Sequence, residues 1–199
     1  MTANLYSYQA WLNYYHSQAA QLPYAIKAHP ASLKSTLQSI SRTALDARAE
    51  QLRQSDSYTN KKWKTAAAGL IPFLKIGVSI DACEEFADEA LQAFGLSDAR
   101  GLKEIARTLK KATSGRDDLA MDVLKTLGKL TVSELLAHTG MNAASEGLHI
   151  KPVIGQVASS VMGYKMVRKR MIKIIERSRS VAGDVHANLL ITMVVETAR

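Results

Sequence analysis

The sequence predicts an all-α fold, a single multi-helix domain of eight or nine helices. Three observations lead there. Of 199 residues only 4 are proline and 11 glycine, against 47% apolar residues rich in Ala and Leu, a composition that favours helix. Apolar residues recur every three or four positions along most of the chain, the period of a helix with one buried face. The only strand-like stretches, 78–80 and 190–195, sit among helix signals. Third, two segments share one grammar, 69–81 and 150–164: a proline leads into an apolar, small-residue run, and Pro72 matches Pro152. These predict two closely packed, Pro/Gly-rich helix starts at the centre of the domain, with Gly69, Pro72, Gly77, Pro152, Gly155 and Gly163 as the packing positions.

A first helix is expected over 4–21, with Leu5, Trp11, Leu12, Tyr15 and Ala19 forming an aromatic face. Pro23 and Pro30 bracket a connector, and Ser32 can cap a second helix running to about Gln54, because its oxygen can accept a free first-turn amide. Its apolar positions are Leu33, Leu37, Ile40, Ala44, Ala47 and Leu52, and 55–60 is a polar break. A third helix carries Lys61, Lys62, Trp63 and Lys64 until Pro72, which lacks an amide hydrogen and ends or kinks it. A fourth runs from about Lys75 to Phe94, with Gly95 just past its end. Ser97 is the expected cap of a fifth helix to Lys111, and Asp117 and Asp118 suit the positive start of a sixth ending near His138. A turn at 142–146, a long helix from Pro152 to about Arg179, a separation at Gly183-Asp184 and a final helix with Leu189, Leu190, Met193 and Val194 complete the chain. No linker divides it. Residues 1–199 read as one domain, with 1–55 as a peripheral subregion and 56–199 as the helical core.

The net charge is +8 and the pI about 9.6. Such a balance suits an anionic partner and equally suits solubility alone. A single cysteine, Cys83, excludes an internal disulfide and fits a reducing compartment. The N-terminus has no basic region followed by an apolar core, and no Gly at position 2. The longest apolar stretch, 65–80, is interrupted by Lys75 and falls short of a membrane span. The expectation is a cytoplasmic protein, soluble or peripheral on membranes.

Catalytic patterns do not assemble. A phosphate loop needs a leading glycine before Gly-Lys-Ser/Thr, whereas Gly128-Lys129 is followed by Leu130 and preceded by Val123 at the glycine position. Asn60-Lys61-Lys62 begins like a guanine-recognition tetrapeptide, but Trp63 stands where aspartate is required. His16, His29, His138, His149 and His186 are scattered and read as satisfied surface or core histidines, and Cys83 as buried packing. Asp81, Glu84, Glu85, Asp88 and Glu89 put carboxylates on successive turns of one helix. That is a solvated acidic face, an acid–base pair, or a surface that meets a basic face on a neighbour or on another copy. No catalytic residue, cofactor, metal or small-molecule substrate is predicted.

The strongest charge signal is 165–179, with seven positive residues and one negative. Val161, Tyr164, Val167, Met171, Ile174 and Ile175 form an apolar stripe, and Lys165, Arg168, Lys169, Arg170, Lys173 and Arg177 occupy the rest. Such a helix can lie on anionic lipid or bind phosphates; it can equally be a core helix with a solvated basic back. Nucleic acid is disfavoured, because no aromatic residues interleave with the cations.

Ile71-Pro72, then Gly77-Val-Ser-Ile-Asp81, then a helix leading into Ala93-Phe-Gly-Leu-Ser-Asp98 with Leu102 and Ile105-Ala106, resembles the helical region of the immunity-related, interferon-inducible GTPases. That family also carries a Pro-Val-Ile/Val-Gly-Gln segment, here Pro152-Val-Ile-Gly-Gln156, followed by Tyr164-Lys165. The match covers roughly residues 40–195, and the family's GTPase domain is missing from this chain. The resemblance implies a helical domain for membrane association, self-assembly and partner contacts in cell-autonomous innate immunity. It carries over no GTP hydrolysis and no catalytic residue. The expected function is a non-enzymatic interaction module working by protein–protein or membrane-surface contact, with the 165–177 cations as its contact face. The alternatives are a regulatory or decoy partner of a full-length GTPase, and an enzyme using the acidic helix 81–89.

Overall fold

The computed structural model describes residues 6–61, 74–112, 137 and 156–198. The fold is all-α. In chain order the helices are α1 (Tyr8–Gln21), α2 (Tyr24–Lys27), α3 (Pro30–Gln54), α4 (Leu74–Ala93), α5 (Ala99–Ala112) and α6 (Gln156–Val185), then a π-turn (His186–Leu190) and α7 (Ile191–Thr197). Residues 56–61 add a short helical segment. The chain divides into two compact units. One comprises Met1–Arg48, Leu91–Leu130 and Ser178–Arg199; the other comprises Ala49–Ala90 and Thr131–Arg177. Among the described residues no helix is long and apolar enough to cross a membrane. Of the predicted packing positions, Gly77 lies within α4 and Gly163 within α6. Gly69, Pro72, Pro152 and Gly155 lie outside the described residues, as do the predicted sixth helix up to Leu136, His138 and the 142–146 turn.

Several helix boundaries differ from the sequence expectation, each for a local reason. α1 starts at Tyr8, where the Ser7 hydroxyl accepts the Ala10 amide at 3.2 Å. The connector between Pro23 and Pro30 winds into the single turn α2. α3 begins at Pro30, so Ser32 lies inside the first turn and is not the cap. Proline is at home at the first helical position, where its missing amide would have had no partner. The break predicted at 55–60 shrinks to Ser55, whose hydroxyl accepts the Tyr58 amide at 3.1 Å and starts the segment 56–61. The cap of α5 is Asp98 and not Ser97: its carboxylate accepts the Gly101 amide at 2.8 Å, the N3 contact of a capping residue.

The buried row of α3 is Leu33, Leu37, Ser41, Leu45, Ala49 and Leu52. Ile40 and Ala44 are half-buried and Ala47 is exposed, contrary to expectation. Ser41 explains the slip. It occupies the middle of a strict four-residue row, and an apolar count that skips it slides onto the neighbouring face.

The separation expected at Gly183-Asp184 does not occur, and α6 runs on to Val185. Glycine inside a helix costs about 0.5–1 kcal/mol relative to alanine without ending it. The chain is interrupted two residues later by the π-turn, in which the Ile191 amide bonds the His186 carbonyl five residues back. One inserted residue rotates everything after it by about 100°. This brings Ile191, Val194 and Val195 into burial after Val181, Ala182, Val185 and Leu189. A methyl on Gly183 meets nothing within 4 Å. Gly183→Ala is therefore expected to stabilise the protein by about 0.5–1 kcal/mol, read as a raised urea midpoint with unchanged slope.

Candidate functional site

The first compact unit is organised around the C-terminal end of α4. A helix leaves its last carbonyls without helical partners, and here those from Leu91 to Phe94 are all satisfied. Gly95 takes a left-handed conformation at φ +70°. The Leu96 amide reaches the Leu91 carbonyl at 2.8 Å and the Gly95 amide the Gln92 carbonyl at 2.9 Å, the paired bonds of a Schellman motif. The Ala93 carbonyl accepts the Trp11 indole N–H from α1 and the Arg48 Nε–H from α3, both at 3.3 Å. The Phe94 carbonyl accepts the His186 Nε2–H at 3.0 Å. The Arg48 guanidinium also lies 4.5 Å from the centre of the Tyr6 ring, and its positive charge suits the negative end of the α4 dipole.

Hydrogen-bond directions follow from the Phe94 carbonyl, which can only accept. His186 Nε2 must carry the proton. In the neutral ring Nδ1 is then an acceptor, so the Tyr15 hydroxyl donates to it at 2.8 Å. Tyr15 in turn accepts from the Ser41 hydroxyl at 2.7 Å. Burial pushes the imidazole down to about 4, opposed by its bond to Phe94, and raises the Tyr15 phenol far above its usual value despite the Ser41 bond. Both groups are neutral near pH 7. His186 is thus the satisfied core histidine that the sequence suggests, while His16 and His29 are exposed. The Ser41–Tyr15–His186 series is enclosed by Trp11, whose ring lies 4.7 Å from the imidazole; it specifies packing and is sealed from solvent.

The predicted cationic face lies in the second unit. Lys165, Arg168, Lys169, Lys173 and Arg177 are exposed and Arg170 is half-buried. Val167, Met171, Ile174 and Ile175 are buried, whereas the side chains of Val161 and Tyr164 lie outside the description. Lys165, Lys169, Lys173 and Arg177 follow one another at four-residue steps. Each step advances about 6 Å along the helix and drifts about 40° around it, so the four side chains fan over about 120° of the outer side along about 18 Å. Like charges at this spacing oppose helix formation by a few tenths of a kcal/mol per pair. The one acid in the stretch, Glu176, pairs with Arg53 at 3.9 Å. In the first unit, Arg179 is paired with Asp46.

No protein family, curated protein or solved structure matches this chain.

The acidic residues of α4 are placed on its outer side. Asp81, Glu84, Glu85 and Asp88 are exposed and Glu89 is half-buried. Lys61 bridges Glu85 at 3.4 Å and Glu89 at 3.6 Å, and Ser57 donates to Glu89 at 2.5 Å. These contacts tie segment 56–61 to α4, next to the buried pair Tyr58 and Phe86, whose rings are 5.7 Å apart. Cys83 is fully buried, in register with Phe86 and Ala87 on the same helix. Ser41 and Arg48 hold buried or helix-end partners that the sequence does not single out. The available signal was a polar residue interrupting a strict four-residue apolar row.

Proposed function

We propose that the chain is a non-enzymatic helical interaction module that presents the cationic row of α6 to an anionic surface, of lipid headgroups or of an acidic protein. One observation carries this reading: four exposed cations share the outer side of one helix, despite their mutual repulsion, and the neighbouring acid is paired elsewhere. The apolar side of the same turns is buried in the protein. Contact is therefore electrostatic, made by side-chain heads without insertion of an apolar face into a bilayer, unlike a free amphipathic helix. The resemblance to the helical region of immunity-related GTPases, with its membrane and partner contacts, supports the same proposal.

Co-sedimentation with vesicles tests it. Binding to vesicles containing anionic lipid, absent for neutral ones, is expected to weaken with added salt. The Lys165→Glu, Lys169→Glu, Lys173→Glu variant should lose at least about tenfold in affinity, given about 1 kcal/mol per cation near such a surface. Equal binding to neutral and anionic vesicles, unchanged by charge reversal, would remove the lipid form of the proposal.

A further inference from the structure

One ring in the first unit joins the C-terminal segment to the end of α4. His186 opens the π-turn, receives the Tyr15 hydroxyl on Nδ1 and gives its Nε2–H to the Phe94 carbonyl. We infer that the π-turn at His186 is an acid-sensitive latch, in which protonation of the imidazole releases segment 186–197 from the capped end of α4.

Among the described residues, the groups facing the ring carry no full negative charge. From α1 come the Trp11 ring and the Tyr15 hydroxyl, with Tyr14 edge-on to Tyr15. From α3 come Ser41, through Tyr15, and the Arg48 guanidinium, which holds the carbonyl adjacent to the one His186 holds. The end of α4 presents the Phe94 carbonyl. On α5, Leu102, Ile105 and Ala106 are buried, Lys103 is half-buried, and Glu104 and Arg107 are exposed. Asp184 of α6 is exposed, and Glu196 of α7 is half-exposed. Among the described residues no carboxylate forms an ion pair with the ring.

A second ring proton would still find an acceptor. Tyr15 can receive it from Nδ1 and turn its own proton to Ser41, reversing the series. The end of α4 offers only partial negative charge, already shared with Arg48. The described site supplies no carboxylate, and burial still drives the imidazole down, because a buried imidazolium without a full counter-charge is costly. The segment also has points at which to give way: the π-turn interrupts the helical hydrogen bonding, and Gly183 lies just before it in open space.

The direction of the response follows from the ring's two environments. Latched, it stays neutral down to about pH 4; released, it takes a proton near pH 6.5. Closure is complete above pH 6.5 and weakens as pH falls. Its equilibrium constant drops about tenfold per pH unit between about 6 and 4.5, about 150-fold by pH 4, and levels off at about 300-fold below that.

Hydrogen exchange of the full chain, corrected for intrinsic rates and compared at pH 7, 5.5 and 4.5, tests the latch. Protection in 186–197 is expected to fall about tenfold per pH unit below 6.5 while 33–45 stays protected, and His186→Gln, which bonds without titrating, should abolish the trend. Loss of protection in both segments together at every pH, or the same trend in His186→Gln, would overturn it. Should that variant fail to fold, ring-proton NMR of the native chain decides. A ring titrating near 6.5 with 186–197 still protected refutes the latch. A ring neutral until 186–197 opens supports it.

Discussion

Trp11→Ala is expected to destabilise the protein by about 4 kcal/mol, the middle of the range for truncating a buried aromatic side chain. The indole is fully buried and packs against Tyr14, Tyr15 and His186, with ring centres 6.0, 6.0 and 4.7 Å away. It also donates to the Ala93 carbonyl. Three separate losses follow: apolar burial, aromatic contacts worth about 0.5–1.5 kcal/mol each beyond area, and one donor on a helix end. Arg48 still holds the same carbonyl, which limits the last loss. Trp11→Phe separates them, since it keeps most of the burial and forfeits the N–H, and should cost about 1–2 kcal/mol. Urea unfolding followed by circular dichroism measures both. A Trp11→Ala effect under about 1 kcal/mol, far below the usual range for such a truncation, would mean that α1 does not seal the end of α4.

Much of this arrangement was legible in the sequence, and the remainder was hidden for definable reasons. Helix class follows from composition and spacing together, and Gly95 marks the end of α4 because few other residues tolerate its left-handed conformation. The same logic overstated Gly183, since only a glycine with positive φ and paired amides ends a helix, and neither property is written in the residue type. Ser32 and Ser97 both carry the hydroxyl that a cap needs, but α3 already starts at Pro30 and the Asp98 carboxylate caps α5 one residue after Ser97. The cationic row of α6 could be read directly, because its apolar complement Val167, Met171, Ile174 and Ile175 marks the opposite side. The Ser41–Tyr15–His186 series could not. Its members lie 26 and 171 residues apart, and helical periodicity says nothing about which polar residues on different helices meet. Each was visible only as a small anomaly: a serine in the middle of an apolar row, a tyrosine on a buried face, a histidine among Val and Leu. The inserted π-turn left still less trace, because it shifts the register of the apolar pattern without changing its composition.

Gly95→Ala is expected to cost about 3 kcal/mol, nearly as much as losing the indole. A left-handed conformation costs an L-residue about 1–2 kcal/mol. The added methyl would also lie 2.7 Å from the Cδ1 atom of Trp11 and 3.1 Å from the backbone of Tyr8. The first neighbour is fully buried and cannot swing away; the second is main chain at the start of α1. Relief therefore requires α1 to move off the end of α4, lengthening the Trp11 bond to the Ala93 carbonyl. Such coupling has a measurable form. Because the methyl displaces the same indole, the Gly95→Ala, Trp11→Ala double variant should be less destabilised than the sum of the two single variants by about 1 kcal/mol or more. Strict additivity would show that the turn and the indole act independently, contrary to their contact. Gly183→Ala supplies the control: the same change of residue within the same unit, with open space and helical backbone, is expected to shift stability in the opposite direction.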